Sequence, residues 1–170
     1  KVLFFLGSNI GNFTEQETIM FLRHLREVMI PADQLFIGFD LKKDPDIILK
    51  AYNDPHGLTS SFNLNLLRRI NVELKADFQL LQFKHQEVYD PMTGAARSYL
   101  ISKIKQSVNI DELEKTIHFE QWEPIFMERS QKYDLRMIDY LAEQSGFAVV
   151  RNFTDSRHYF LNSLWKVAQE

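Results

Sequence analysis

The sequence predicts an α/β fold: part of a parallel sheet, interrupted by an inserted α+β region. Three observations carry this. "VLFFLG" (Val2 to Gly7) and "LFIGFDL" (Leu35 to Leu41) are continuous apolar runs, the pattern of strands covered on both faces. Each run is followed by a segment with helix-start signals, which is the strand–helix–strand–helix order of parallel sheets. Between about residues 55 and 127 the pattern changes to turn-rich, strand-like segments of antiparallel style.

After the first run, Thr14-Glu15-Gln16-Glu17 reads as a capping box. Glu15 and Glu17 suit the positive end of the helix dipole; Arg23, His24 and Arg26 suit the negative end. Leu22, Leu25 and Met29 share a face, and Pro31 is the expected stop. After the second run, Asp44 is a candidate N-cap with Pro45 at the first helical position. "DPHGLT" is a break, after which Ser60 or Ser61 is expected to cap a helix reaching Leu74. "LLQFKHQEVYDPMTGAARSYLISKIKQSVNI" reads as a strand, a turn at Asp90 to Gly94 and one return strand, with "KTIHFEQWEPIF" a third strand. Towards the end, Asp134 caps a helix that stops at Gly146, and "FAVVRNFTD" and "HYFLNSLWKVA" are strands.

Composition narrows the classes. Hydrophobic content of 45% with 13% aromatics suffices for a real core. A net charge of −3 does not suggest a nucleic-acid surface. No apolar run approaches the roughly 18 residues of a membrane span, and no signal peptide is visible, so the expectation is a cytoplasmic chain. There is no cysteine, which removes disulfides and thiolate chemistry. The chain opens at Lys1 directly onto an apolar strand, so an upstream part is expected to precede it.

None of the five histidines forms a His-x-x-x-His pair, so no metal site is assigned. No Gly-x-Ser-x-Gly elbow, P-loop or Gly-x-Gly-x-x-Gly is present. Lys42-Lys43 and Arg68-Arg69 read as surface charge. Four places hold attention. The loop "GSNIGNFT" follows a parallel strand, where ligands sit in such sheets, and Asn12 offers both a donor and an acceptor; a plain turn is the competing reading. Tyr52 in "KAYNDPHG" stands beside a turn, either as a site residue or as a core-edge tyrosine. Glu128 and Ser130 in "MERSQKY" lie two apart, so an extended backbone puts a carboxylate and a hydroxyl on one face; an exposed loop is the alternative. The "YDPMTG" turn reads as structural only.

Taken together, "FLGSNIGNFT", "GFDLKKDP", "AYNDPHGLTSSFNLNLLRRIN" and "ERSQKY", in this order, resemble the S-adenosylmethionine-dependent histidine Nα-methyltransferase family of ergothioneine biosynthesis. The resemblance spans Leu3 to Trp165. It implies the C-terminal half of a Rossmann-like class I methyltransferase sheet, strands four to seven, the last antiparallel. It divides the chain into 1–54 (strands four and five), 55–127 (substrate-binding insertion) and 128–170 (strands six and seven). It implies that Asn12 and Tyr52 hold the amino-acid end of a substrate, and that Glu128 and Ser130 recognise an imidazole.

The implied reaction is methyl transfer from S-adenosyl-L-methionine to the α-amine of histidine, repeated to the trimethylated betaine. The cofactor's glycine-rich loop and ribose-binding acid are expected upstream, so these 170 residues alone are expected to be inactive. Ser98 stands where the family pattern places a larger apolar residue, which keeps open a methyltransferase acting on another amino acid or small amine. A non-catalytic binding domain is the other alternative. Expected partners are a small-molecule amino acid and, through the exposed edge of the fourth strand, a second copy of this stretch of chain; no nucleic acid and no membrane are expected.

Overall fold

The computed structural model describes residues 1–53 and 56–168. The "DPHGLT" break and the expected boundary between 54 and 55 therefore fall partly outside the described residues, at Asp54 and Pro55. In chain order the elements are β1 (Val2–Phe5), a 3₁₀ turn (Asn9–Asn12), α1 (Glu15–Glu27), β2 (Gln34–Asp40), α2 (Pro45–Tyr52) and α3 (Leu58–Glu73). There follow β3 (Phe83–Asp90), β4 (Ala95–Ser102), β5 (Gln106–Ile110), β6 (Lys115–Phe119), β7 (Pro124–Gln131), α4 (Leu135–Gln144), β8 (Phe147–Thr154) and β9 (Phe160–Val167).

The chain divides into two compact units. The first holds Lys1–Asp44, Asp90–Ala95 and Arg129–Glu170; the second holds Pro45–Tyr89 and Ala96–Glu128. The division crosses β7 between Glu128 and Arg129.

The first unit is built on a four-stranded sheet of order β1-β2-β9-β8. β1 pairs parallel with β2, in register Leu3↔Leu35, while β9 lies antiparallel to both β2 and β8. The last strand is thus the antiparallel one, as expected. The capping box on α1 forms as read: the Thr14 N–H donates to Glu17 Oε2 at 2.7 Å, and the Glu17 N–H donates to Thr14 Oγ1 at 3.3 Å. Asp134 caps α4 by accepting from the Met137 N–H at 3.0 Å. α1 ends at Glu27, well short of Pro31.

One sheet face carries the core. Leu35, Ile37 and Phe39 of β2, Leu161 and Trp165 of β9, Leu22 of α1, and Ile138 and Leu141 of α4 pack in one cluster. Trp165 stacks on Phe39 at 5.9 Å, and its indole N–H donates to Ser163 Oγ at 2.6 Å, so its one polar atom is satisfied. Among the described residues the other face is partly exposed. Phe4 is 67% exposed and meets Phe36 at 5.7 Å, and Phe36 meets Phe153 at 5.9 Å. The apolar run in β1 predicts cover on both faces; among the described residues α1 and α4 cover only the Leu3 and Phe5 side.

The second unit packs Leu67 of α3 with Phe78, Phe83, Leu100, Val108, Ile110 and Phe119. Its sheets are β3-β4-β7 and the hairpin β5-β6. Three expectations are corrected here. α3 starts at Leu58, before either serine, because Gly57 takes a left-handed φ of +67° and turns the chain into the helix without a side-chain cap. The single return strand is two strands: Ser102 bonds through its backbone to Trp122 and Glu123, which ends β4 and lets β5 pair with β6 instead. "KTIHFEQWEPIF" is likewise split, with Trp122 at φ +69° between β6 and β7.

The two faces of the first sheet make a contrast that denaturation can measure. Leu161→Ala, at a fully buried position, should cost roughly 2–5 kcal/mol. Phe4→Ala, on the more exposed face, should stay within about 0.5 kcal/mol of wild type. Equal losses in urea titrations would show that the more exposed face contributes to the fold as much as the core.

Candidate functional site

The loop after β1 is built by close approach. Gly7 and Ser8 take left-handed φ values of +81° and +59°. At Gly11 an added Cβ would lie 2.9 Å from the Gln131 carbonyl oxygen, so only glycine lets the loop reach the end of β7. The buried Tyr133 hydroxyl donates to the Ile10 carbonyl at 3.1 Å and pins the loop from below. Asn12 closes the 3₁₀ turn with its side chain exposed, held by backbone that cannot drift.

Ser130 belongs to the same unit. Its hydroxyl oxygen accepts from Lys132 Nζ at 2.8 Å, and that ammonium also pairs with Asp40 at 2.8 Å. With an acceptor lone pair occupied, the Ser130 proton remains to be donated.

Tyr52 and Glu128 lie in the second unit. Tyr52 ends α2 and lines a cavity of about 210 Å³ together with Asn53, Gly57, Ser60 and His85. Glu128 lies on β7, which is extended, so Glu128 and Ser130 share a strand face as the two-residue spacing requires. Glu128 also borders a groove of about 210 Å³ under α3, with Asn63, Leu66 and Arg69. The four residues picked out in the sequence thus fall two in each unit: Asn12 and Ser130, Tyr52 and Glu128.

Glu128 has company that spacing alone did not reveal. Ser98 on β4 approaches Glu128 Oε1 at 3.3 Å and makes a closer hydrogen bond to Glu87 on β3. The three residues form a polar row across β3, β4 and β7. Ser98 is 1% exposed and Glu87 3%. His85, on the same strand face as Glu87, has its Nε2 3.9 Å from Glu87 Oε2. A signal was present in "FKHQEVYD": in an alternating strand whose first inward residue is Phe83, the next inward positions are His85 and Glu87.

The "YDPMTG" turn is more than structural. Asp90 takes the Met92 N–H at 2.9 Å and the Thr93 hydroxyl at 2.6 Å, and Met92 and Thr93 then line a cavity of about 370 Å³ in the first unit. Phe13, Arg129, Tyr133 and Met137 also line it. Arg129 donates from Nη2 to Gln131 Oε1 at 2.5 Å, while its buried Nε has no hydrogen-bond partner. Burial pushes the Tyr133 phenol up to about 12, against the lowering influence of the Arg129 charge. Burial also works to raise Asp134, but hydrogen bonds from Lys42 and the Met137 N–H outweigh it and hold the carboxyl below its usual range.

The CcbJ methyltransferase from Streptomyces caelestis superposes with a TM-score of 0.51 at 12% identity, over 98% of this chain and 60% of that one. An S-adenosylmethionine-dependent methyltransferase from Clostridium acetobutylicum gives 0.51 at 5% identity, over 99% and 58%. These likenesses place the fold among class I, Rossmann-like methyltransferases. The family model described as histidine-specific, SAM-dependent methyltransferase matches residues 1–167, and the chain belongs to that family. Histidine N-alpha-methyltransferase of Mycobacterium tuberculosis is 35% identical over 96% of the chain and 51% of its own length. Ergothioneine biosynthesis protein 1 of Neurospora crassa is 29% identical over 98% of the chain and 19% of its own length. The chain thus spans about half the length of the mycobacterial relative.

Two acids stand at carboxyl ends of the first sheet's strands. Asp40, closing β2, is held by Lys43 at 2.5 Å and Lys132 at 2.8 Å. Asp155, following β8, accepts from the Tyr159 and Phe160 N–H groups at 2.7 and 2.9 Å. Both carboxylates are engaged by groups of this chain, so neither is assigned to a ribose. No helix among the described residues is long and apolar enough to cross a membrane.

The raised Tyr133 phenol has a signed consequence. With a folded value near 12 and an unfolded one near 10, its stabilisation is complete below pH 10 and is lost as pH rises to 12. The stability gap between wild type and Tyr133→Phe should therefore shrink by roughly 1.4 kcal/mol per pH unit across that window. A gap that stays constant from pH 9 to 12 would contradict the burial of the phenol.

Proposed function

We propose that the whole protein of which this chain is part transfers methyl groups from S-adenosyl-L-methionine to the α-amino group of histidine, through to the trimethylated betaine. What carries the reading is the family match over residues 1–167, joined to a Glu128 carboxylate set in a row of buried polar groups. The cofactor supplies a methyl already activated on sulfonium, so the protein's part is to orient the amine and strip its water. Asn12, on a rigid loop, and Tyr52, beside a small cavity, hold the carboxylate and amino end. Glu128 accepts an imidazole N–H, and Ser130 donates its remaining proton. The α-amine must lose a proton before each transfer. A site that pairs polar groups in this way rejects analogues that leave those groups unpaired. The reaction is placed in the cytoplasm.

Ser98 favours a second reading. A hydroxyl backed by Glu87, on a wall beside Glu128, also suits another amino acid or a small amine bearing N–H donors.

The test uses the full-length protein with a panel of free amino acids. Asn12→Ala should lower kcat/KM for every accepted amino acid by at least tenfold. Glu128→Ala should selectively remove the preference for histidine. Histidine preference that survives Glu128→Ala would refute the assignment of the imidazole contact.

The residues of this chain, expressed alone, should also self-associate. β1 is an outer strand of its sheet, and unpaired strand edges recruit other chains. Light scattering should show a dimer or larger species; a monomer with a native-like circular dichroism spectrum would rule this out.

A further inference from the structure

We infer that Lys132, anchored by Asp40, is a positioning residue that sets Ser130 as a hydrogen-bond donor, so that Ser130 selects substrate side chains carrying an acceptor atom. This rests on the reading of Ser130 as a side-chain contact.

The direction of the hydrogen bond follows from the groups involved. A lysine ammonium has three N–H groups and no lone pair, so it only donates. Lys132 Nζ donates to Ser130 Oγ at 2.8 Å and pairs with Asp40 Oδ2 at 2.8 Å. The Ser130 oxygen is the acceptor in that contact, and its own proton points elsewhere. A hydroxyl oxygen that accepts from a cation is polarised and becomes a stronger donor. Ser130 is half-buried, which leaves that proton accessible to a ligand.

Lys132 is fixed at both ends. Its side chain is only 3% exposed. Its backbone N–H donates to the Gly94 carbonyl at 2.7 Å, and its carbonyl accepts from Gln131 Nε2 at 2.8 Å. Asp40 is held as well: its carbonyl accepts from the Tyr133 N–H at 2.9 Å, and its carboxylate also pairs with Lys43 at 2.5 Å. Removing the Lys132 charge therefore leaves Asp40 with a cation. All of these residues belong to the first unit.

The consequence is a rule about which atom is read. A neutral imidazole carries one N–H and one nitrogen with a lone pair. The Ser130 proton goes to the lone pair. A ring that brings no lone pair leaves the Ser130 hydroxyl without an acceptor and gains nothing from it.

The experiment uses the full-length protein with S-adenosylhomocysteine bound, so that no methyl is transferred. Calorimetry measures its affinity for free amino acids of graded ring chemistry. Histidine has both an N–H and a lone pair; 2-pyridylalanine and 3-pyridylalanine have the lone pair alone. In 2-pyrrolylalanine only the N–H is present, and phenylalanine has neither. Lys132→Met keeps the chain length and removes the charge. It should weaken binding of histidine and the pyridylalanines about tenfold and leave the other two within about twofold. Ser130→Ala should give the same pattern, and Lys132→Met added to it should change nothing further, because the effect runs through the hydroxyl. Should Lys132→Met fail to fold, Asp40→Asn serves: it keeps the size of a side chain that is 24% exposed and loosens the anchor of Lys132. It should weaken the same ligands at least threefold and spare 2-pyrrolylalanine.

An equal loss for every ligand would make the lysine merely structural and overturn the inference. Wild-type affinity for histidine in the variant used would do the same, as would effects of Lys132→Met and Ser130→Ala that multiply independently. If wild type binds a pyridylalanine and refuses histidine, the proposed substrate fails and the donor assignment stands. If it binds histidine but prefers 2-pyrrolylalanine to both pyridylalanines, the proposed substrate stands and the donor assignment fails. Binding of none of these amino acids would overturn both.

Discussion

The hydrogen bond from the Tyr133 hydroxyl to the Ile10 carbonyl is the contact on which the first unit's surface chemistry depends. It ties the chain leaving β7 to the loop leaving β1, two stretches more than 120 residues apart, at a point where both are buried. The Tyr133 ring lies edge-on to Phe39 at 5.0 Å, and Phe39 stacks on Trp165, so the hydroxyl is held by the same cluster that holds the sheet. Gly11 seals the join by letting its backbone come against Gln131. Asn12 and Ser130 are consequently presented on rigid backbone, which is what a site needs when orientation is its main contribution.

The second unit solves a different problem. A strand face that should be apolar carries His85 and Glu87, and the cost of burying a carboxylate is offset by hydrogen bonding it to Ser98. A buried polar row of this kind is expensive unless its members are paired, and pairing fixes which way each proton points.

Legibility in the sequence followed the range of the interactions. The capping box at Thr14, the N-cap at Asp134 and the βαβ order were readable because each depends on residues within a few positions of one another. The joined reading of β4 with β5, and of β6 with β7, failed because the breaks are made by Ser102 pairing with Trp122 and Glu123, some twenty residues away. Ser60 and Ser61 drew the start of α3 because serine caps are common, whereas the chain used the backbone freedom of Gly57. The Asp90–Gly94 turn was recognised as a turn, but that Met92 and Thr93 border a cavity is a fact about what packs opposite them.

By itself the sequence determined most strand and helix types, while the antiparallel last strand was legible only through the resemblance to the family. The element types follow from periodicity, caps and local turn signals, which are one-dimensional properties. Only the tertiary structure decided that Glu128 shares a polar row with Ser98 and Glu87, that Gly11 is demanded by the Gln131 backbone, and that among the described residues one face of the first sheet is more exposed than the other. Each of those depends on distances between residues far apart in the chain, set by which strands become neighbours and in what register.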